Sequence, residues 1–286
     1  MPDEPIEAKI ERWLSTQGYP LEMKLAHTFV HAGFHVIQSM YYRDPRTETQ
    51  RELDVYAHVQ RDIDGGFARL AALVECKSDK SKPWVVFVSD FVQLADRARV
   101  VQRSATSLGH YWLEQISLRS DITGLTLFQL PQRPGYGVTA AFSEKLDVPY
   151  AALMGSAGAA YAESLEYANP GGRQSPLVVN FPIVVTDAPL FACWLGKDGR
   201  PQLENVDRTV IAWRNPVYRM PHCMIHIVHS SAIEDFVRQM RTDFDFLMKY
   251  TEEEIEEAMK RMRSQKKAVA LSRLAASAAK GIARNL

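Results

Sequence analysis

The clearest pattern of apolar and polar residues lies between positions 52 and 60. Polar residues there alternate strictly with four apolar ones, Leu53, Val55, Ala57 and Val59. Such alternation is typical of a strand with one buried face. A second strand is predicted from Arg69 to Lys77, and the Asp64-Gly65-Gly66 segment between them is a strong β-hairpin signal. The sequence therefore predicts a hairpin of two long antiparallel strands.

Helical and strand-like periodicities surround this hairpin. Apolar residues at three- and four-residue spacing predict helices from Ile6 to Ser15 and from Leu21 to Ala32, and a strand is predicted from Phe34 to Tyr42. Further predicted elements are a helix from Asp90 to Ser104, a strand from Gly135 to Phe142, an alanine-rich helix from Tyr150 to Tyr167, three or four strands between Leu177 and Val228, and a helix from Ser231 to Lys249. We therefore expect one α/β domain over residues 1–250, with a mixed sheet flanked by helices.

Charge and composition narrow the possible functions. The chain has 34 basic and 34 acidic residues, so nucleic acid would have to bind through local patches rather than through an overall positive surface. The three cysteines form an odd set without metal-site spacing and suit a reducing compartment. No stretch approaches the roughly 18 consecutive apolar residues of a membrane span, and the N-terminus lacks the apolar region of a signal peptide. A cytoplasmic protein without membrane contact is predicted.

The segment 251–286 changes charge abruptly. Five glutamates lie between Thr251 and Glu257, and no acidic residue follows Met259. The basic residues beyond that point are Lys260, Arg261, Arg263, Lys266, Lys267, Arg273, Lys280 and Arg284. With apolar residues between them, they predict a C-terminal helical extension that is basic and amphipathic. It could bind nucleic acid, a protein partner or a second copy of the chain; a membrane surface is less favoured because its apolar residues are mostly alanine.

The position of the hairpin turn determines the register of the two strands, and with it which charged residues face each other. If Asp64-Gly65 is the turn, Ile63 pairs with Gly66 and Asp54 lies across from Glu75. If Gly65-Gly66 is the turn, Asp54 faces Lys77 instead. Either register places Asp54, Glu75 and Lys77 on one face, because side-chain direction repeats every two residues.

Two carboxylates on one face of a hairpin have to be neutralised. Their Cβ atoms are about 5 Å apart and their charges repel, so a lysine or a divalent cation between them is favourable. Hard oxygen ligands of this kind suit Mg²⁺ or Mn²⁺, which also bind phosphate oxygens. The pattern therefore favours metal-assisted attack on a phosphodiester. An ordinary half-solvated hairpin with cross-strand ion pairs is the alternative that the hairpin alone leaves open.

The order of motifs from Leu21 to Trp84, about a quarter of the chain, resembles the PD-(D/E)XK nuclease family. The motifs are the helix segment Leu21 to Ala26, the strand after Gly33-Phe34, the strand Arg51-Glu52-Leu53-Asp54-Val55, the hairpin, and Val74-Glu75-Cys76-Lys77. The resemblance implies a restriction-endonuclease-like α-β-β-β core and a Mg²⁺- or Mn²⁺-dependent endonuclease that prefers DNA over RNA. It also implies a role in bacterial or phage restriction, repair or antiphage defence. Leu53 stands where the family motif has proline.

The resemblance also implies roles for individual residues. Asp54, Glu75, Glu22 and the main-chain carbonyl of Cys76 would bind the metal, and Lys77 would orient the attacking water and steady the charge on the phosphate. The residues expected to contact nucleic acid are Lys80, Lys82, Trp84 and Arg51, with Trp84 as a stacking platform. A solvated loop in which Trp84 anchors the core is the alternative for this segment. The alternative for the whole protein is a non-catalytic, nuclease-like scaffold that assembles through its basic helix.

A glycine-rich segment in the alanine-rich helix has a simpler interpretation. Gly155-Ser156-Ala157-Gly158 has the small residues of a phosphate-binding loop, but no Lys-Ser/Thr pair follows it. Small residues that let a helix pack closely on its neighbour explain this segment better.

Overall fold

The computed structural model describes residues 4–63, 66–91, 94–143, 148–167, 176–215, 220–250 and 252–265. Its helices are α1 (Ile6–Leu14), α2 (Tyr19–His31), α3 (Asp96–Val101), α4 (Ser107–Ile116), α5 (Ser120–Thr123), α6 (Val148–Glu166), α7 (Ile233–Tyr250) and α8 (252–265). Its strands are β1 (His35–Arg43), β2 (Gln50–Ile63), β3 (Gly66–Lys77), β4 (Trp84–Val88), β5 (Ser104–Ala105), β6 (Gly135–Ala140), β7 (Leu177–Thr186), β8 (Leu190–Leu195), β9 (Pro201–Asn205), β10 (Arg208–Asn215) and β11 (Met220–His229).

The strands form one mixed sheet of eleven strands. Their order is β1-β2-β3-β7-β11-β10-β6-β4-β8-β9, and β5 pairs with β7 outside this sequence of neighbours. Strands β1 to β3 are antiparallel, whereas β3 runs parallel to β7. Every residue of β7 is buried, as expected for a central strand whose sequence is almost continuously apolar. The predicted α/β class, a large mixed sheet flanked by helices, is confirmed.

Each face of the sheet has its own helical layer. On one face, α2, α4, α7 and α8 bury residues such as Phe29, Trp112 and Phe244 against the hairpin and β7. On the other face, Ala152, Leu153 and Ala157 of α6 belong to one core cluster with residues of strands β4, β6, β7, β8, β10 and β11. The helix also contacts β1 and β3, so it crosses a large part of the sheet. The small side chains of α6 allow this close approach.

The hairpin has the first of the two predicted registers. Strands β2 and β3 pair from Val55 with Val74 to Ile63 with Gly66. Asp54 and Glu75 are the next positions beyond the last of these pairs, on opposite strands. The turn positions 64 and 65 lie outside the described residues. The register thus brings the two acidic residues to one end of the hairpin, as predicted.

Two predictions about the segment after the hairpin are wrong. The helix expected from Asp90 to Ser104 is limited to α3, because Ser104 and Ala105 pair with β7. Trp84 is not the open stacking platform expected for nucleic acid: it begins β4 and is only 2% exposed in the core beneath α6. A base cannot stack on a ring that is covered by its own chain, so the core-anchor interpretation of Trp84 is the correct one.

Both ends of the described chain are helical, as predicted. No residue of α1 is buried, although its sequence is amphipathic. In contrast, α8 buries Ile255, Ala258, Met259 and Met262 in the same core as α7. The tail therefore packs against the rest of the chain up to residue 265. The basic residues Lys266, Lys267, Arg273, Lys280 and Arg284 lie outside the described residues.

Candidate active site

The hairpin brings the three residues of the predicted site together. Asp54 lies near the start of β2, and Glu75 and Lys77 lie at the end of the neighbouring strand β3. Lys77 and Glu75 are two residues apart, so both side chains project from the same side of their strand. Helix α2 adds Glu22 from its first turn.

The ammonium group of Lys77 lies among oxygen atoms of Glu75, Cys76 and Asp54. Its Nζ donates hydrogen bonds to Oε2 of Glu75 at 2.8 Å and to the carbonyl oxygen of Cys76 at 3.0 Å. Oδ2 of Asp54 is 3.7 Å from the same nitrogen. These are three of the four groups that the family resemblance names as metal ligands; the fourth is Glu22. The hard oxygens of these three are of the kind that Mg²⁺ and Mn²⁺ prefer, and here they surround the positive charge of Lys77.

Asp54 is held by the backbone of the opposite strand. Its Oδ2 accepts a hydrogen bond from the main-chain N–H of Cys76 at 2.6 Å. This bond joins β2 to β3 just beyond their last main-chain pair. The side chain of Cys76 belongs to the core on the α2 side of the sheet, and burial raises the pKa of its thiol well above the usual range. Cys76 therefore contributes its backbone to the site, and its thiol stays protonated.

Burial differs sharply within the site. Glu75 is 7% exposed, whereas the side chain of Lys77 is 30% exposed. Burial, reinforced by the charge of Asp54 and opposed by that of Lys77, raises the pKa of Glu75 to about 7. Burial lowers the pKa of Lys77, but the charges of Glu75 and Asp54 outweigh it and raise that pKa overall. Glu75 therefore binds a proton more readily than an ordinary glutamate, while Lys77 stays charged.

Glu22 lies beside the site rather than in it. Burial raises the pKa of Glu22, and the charge of Asp54 raises it further. Within the described part of the chain, however, no hydrogen bond or ion pair joins Glu22 to Asp54, Glu75 or Lys77. Nor do three or more histidine, cysteine, aspartate or glutamate side chains form a group that could hold a metal ion, among the residues described. Of the four predicted metal ligands, the structure thus brings together two carboxylates and one carbonyl.

Helix α6 covers Glu75, which the sequence did not predict. Gly155 lies so close to the Glu75 carboxylate that a Cβ atom at this position would be 2.6 Å from Oε1. The hydroxyl of Tyr42, on β1, donates a hydrogen bond to the carbonyl oxygen of Gly155 at 3.1 Å. The small-residue segment had indicated close helix packing. Nothing in the sequence indicated that its neighbour would be Glu75.

The basic residues expected to contact nucleic acid differ in their surroundings. Lys80 is exposed in the loop that follows β3, and Lys82 pairs with Asp79 at 3.5 Å. Arg51 is exposed on β2, but its Nε lies 2.8 Å from the buried carboxylate of Asp44. The two lysines therefore follow Lys77 closely along the chain and remain partly or fully open to solvent. Arg51 is tied to the β1–β2 loop.

Comparisons with known proteins identify no relative of this chain. No protein-family model matches this chain, and no curated protein or solved structure is significantly similar to it. No helix within the described ranges is long and apolar enough to cross a membrane.

Proposed function

We propose that this chain is a metal-dependent nuclease of the PD-(D/E)XK type. Its restriction-endonuclease-like core would comprise α2 and strands β1 to β3, and its substrate would be DNA in preference to RNA. One observation carries the proposal: oxygen atoms of Glu75, Cys76 and Asp54 lie 2.8, 3.0 and 3.7 Å from the Lys77 ammonium group. A site that gathers three hard oxygens around one positive charge suits a divalent cation as well as a lysine.

Each residue has a distinct role in this proposal. A bound Mg²⁺ or Mn²⁺ would polarise the phosphate and lower the pKa of an attacking water. Asp54, Glu75 and the carbonyl of Cys76 would hold the cation. The side chain of Lys77 is more exposed than those of Asp54 and Glu75. Lys77 would orient the water and stabilise the negative charge on the phosphate. Lys80 and Lys82 would contact the nucleic-acid backbone beside the site.

The proposed setting is the cytoplasm of a bacterium, or a phage, in restriction, repair or antiphage defence. The basic residues of segment 251–286 would bind nucleic acid, a partner protein or a second copy. No separate DNA-recognition motif, such as a zinc finger, is visible in the sequence. Sequence specificity would then be low or would come from a partner.

Cleavage assays test the proposal directly. Supercoiled plasmid, linear duplex, single-stranded DNA and RNA would be incubated with the protein and Mg²⁺, Mn²⁺ or EDTA. We expect metal-dependent cleavage that Lys77→Ala abolishes. Lys197→Ala is the matched control, since this exposed lysine lies between β8 and β9 at the other end of the strand order. Absence of cleavage with every substrate and metal would contradict the proposal.

One observation favours a second candidate, the non-catalytic scaffold. Glu75 is almost completely buried beneath α6, so a substrate phosphate has little access to it. In a scaffold, Asp54, Glu75 and Lys77 would be a charged cluster that joins β2 to β3. Such a protein would cleave nothing, and Mg²⁺ or Mn²⁺ would not change its unfolding.

A further inference from the structure

Helix α6 passes over Glu75 at a glycine that no other residue can replace without movement. A Cβ atom on Gly155 would lie 2.6 Å from Oε1, 2.8 Å from Cδ and 3.1 Å from Cγ of Glu75. These distances are shorter than normal van der Waals contacts between such atoms. Glycine therefore permits both the present position of α6 and the present direction of the Glu75 side chain.

Helix α6 is held at this contact and again about two turns beyond it. Tyr42 donates its hydroxyl hydrogen to the carbonyl oxygen of Gly155 at 3.1 Å. Two turns further along, Oε1 of Glu163 accepts a hydrogen bond of 2.8 Å from the hydroxyl of Tyr56. Between these points Ala159 packs against β1, β2 and β3. The helix is thus held to β1 and β2, and it cannot move away from Glu75 without breaking these contacts.

The two carboxylate oxygens of Glu75 have different neighbours. Oε1 lies against Gly155, whereas Oε2 accepts the hydrogen bond from Lys77. We propose that Gly155 is a positioning residue, which holds the Glu75 carboxylate so that Oε2 points toward Lys77 and Asp54. Because α6 closes the other side, a phosphate reaches the site from the side of Lys77. This inference rests on the proposed nuclease function, but the contact itself can be tested without it.

The first test is a double-mutant cycle without metal. Gly155→Ala adds the Cβ atom, and Glu75→Ala removes every side-chain atom that it would strike. Alanine favours a helix more than glycine does, so the helix itself does not account for a loss of stability. We expect Gly155→Ala to lower the urea midpoint in the wild-type background and to have little effect in the Glu75→Ala background. An equal effect in both backgrounds would overturn the proposed contact.

The second test asks whether the contact positions the site. Binding of Mn²⁺ alone would be followed by electron paramagnetic resonance, and DNA cleavage by its kcat and KM. We expect Gly155→Ala to weaken Mn²⁺ binding at least tenfold and to lower kcat with little change in KM. Gly124→Ala is the matched control, because a Cβ atom there would meet nothing closer than 3.8 Å in a helical backbone.

The outcomes separate the two proposals. If the wild type binds Mn²⁺ and cleaves DNA, and Gly155→Ala does the same with unchanged constants, the positioning role is wrong and the nuclease function stands. If the wild type neither binds Mn²⁺ nor cleaves any substrate, the nuclease function fails and the positioning role fails with it. The unfolding cycle still decides in that case whether Gly155 constrains Glu75.

Discussion

Lys77 and Glu75, two residues apart on β3, are joined by a hydrogen bond of 2.8 Å between Nζ and Oε2. This bond places a positive charge against a carboxylate that has almost no contact with solvent. A buried carboxylate without a counter-charge is costly. The fold therefore requires a cation at this position, whether the cation is a lysine or a metal ion.

Replacing Lys77 by methionine tests this requirement. Lys77→Met keeps the apolar stem and removes the charge, so Glu75 and Asp54 lose their neutralising partner. Loss of one partner of a buried pair costs several kcal/mol, but Lys77 is partly exposed, so we expect a loss of about 1–3 kcal/mol. Mg²⁺ should then stabilise this variant more than the wild type.

Urea unfolding with and without Mg²⁺ measures both effects. Lys197→Met, at an exposed position, should change the free energy of unfolding by less than about 0.5 kcal/mol. If Lys77→Met unfolds like this control, the charge of Lys77 is not needed by the fold.

Two variants of Asp54 distinguish its hydrogen bond to the backbone from its proposed role in cleavage. Its Oδ2 accepts the buried Cys76 N–H at 2.6 Å. Asp54→Ala leaves that donor without its partner and should cost about 1–3 kcal/mol, whereas Asp54→Asn keeps an acceptor and should cost less. Both variants should lose the proposed cleavage. Thermal unfolding and cleavage would be measured on the same samples; equal destabilisation by both changes would show that the hydrogen bond contributes little.

The features that the sequence predicted best are those set by neighbours along the chain. The alternation around Asp54 and the turn after Ile63 define both strands and leave two possible registers. Because either register puts Asp54, Glu75 and Lys77 on one face, the sequence was enough to predict that they meet. Residues whose partners are distant in sequence could not be placed in this way. Trp84 is buried because β4 pairs with β6 and β8, and Glu75 is covered because α6 returns across the sheet at Gly155.

A second buried carboxylate makes stability depend on pH. Asp243 on α7 accepts the main-chain N–H of Leu127 at 3.0 Å. Burial raises its pKa to about 6, although the N–H groups of Leu127 and Thr126 oppose this increase. The folded pKa lies above the unfolded value of about 3.9, so the folded state binds the proton more tightly. The stability that this proton contributes is complete below about pH 4 and is lost as the pH rises through about 6.

The Asp243→Asn variant isolates this contribution. Asparagine cannot ionise, so the unfolding free energy of the wild type should fall relative to the variant between pH 4 and 6. The relative change should be at most about 3 kcal/mol, because each tenfold difference in proton affinity between the folded and unfolded states corresponds to about 1.4 kcal/mol. Effects of Glu75 cancel because both proteins contain it. Urea unfolding at several pH values gives the difference, which should be constant above pH 7; a constant difference from pH 4 to 8 would contradict this assignment.

Variants of Trp84 distinguish a role in the hydrophobic core from a role in DNA binding. It is 2% exposed and packs with the residues that α6 covers, so Trp84→Ala should lower the unfolding free energy by about 3–5 kcal/mol. Trp84→Phe keeps an aromatic ring and should cost less. Since neither side chain can reach a base, DNA binding by folded Trp84→Phe should equal that of the wild type, as measured by fluorescence anisotropy below the melting temperature. Weaker binding by Trp84→Phe with unchanged unfolding would instead support stacking on a base, and would require β4 to open.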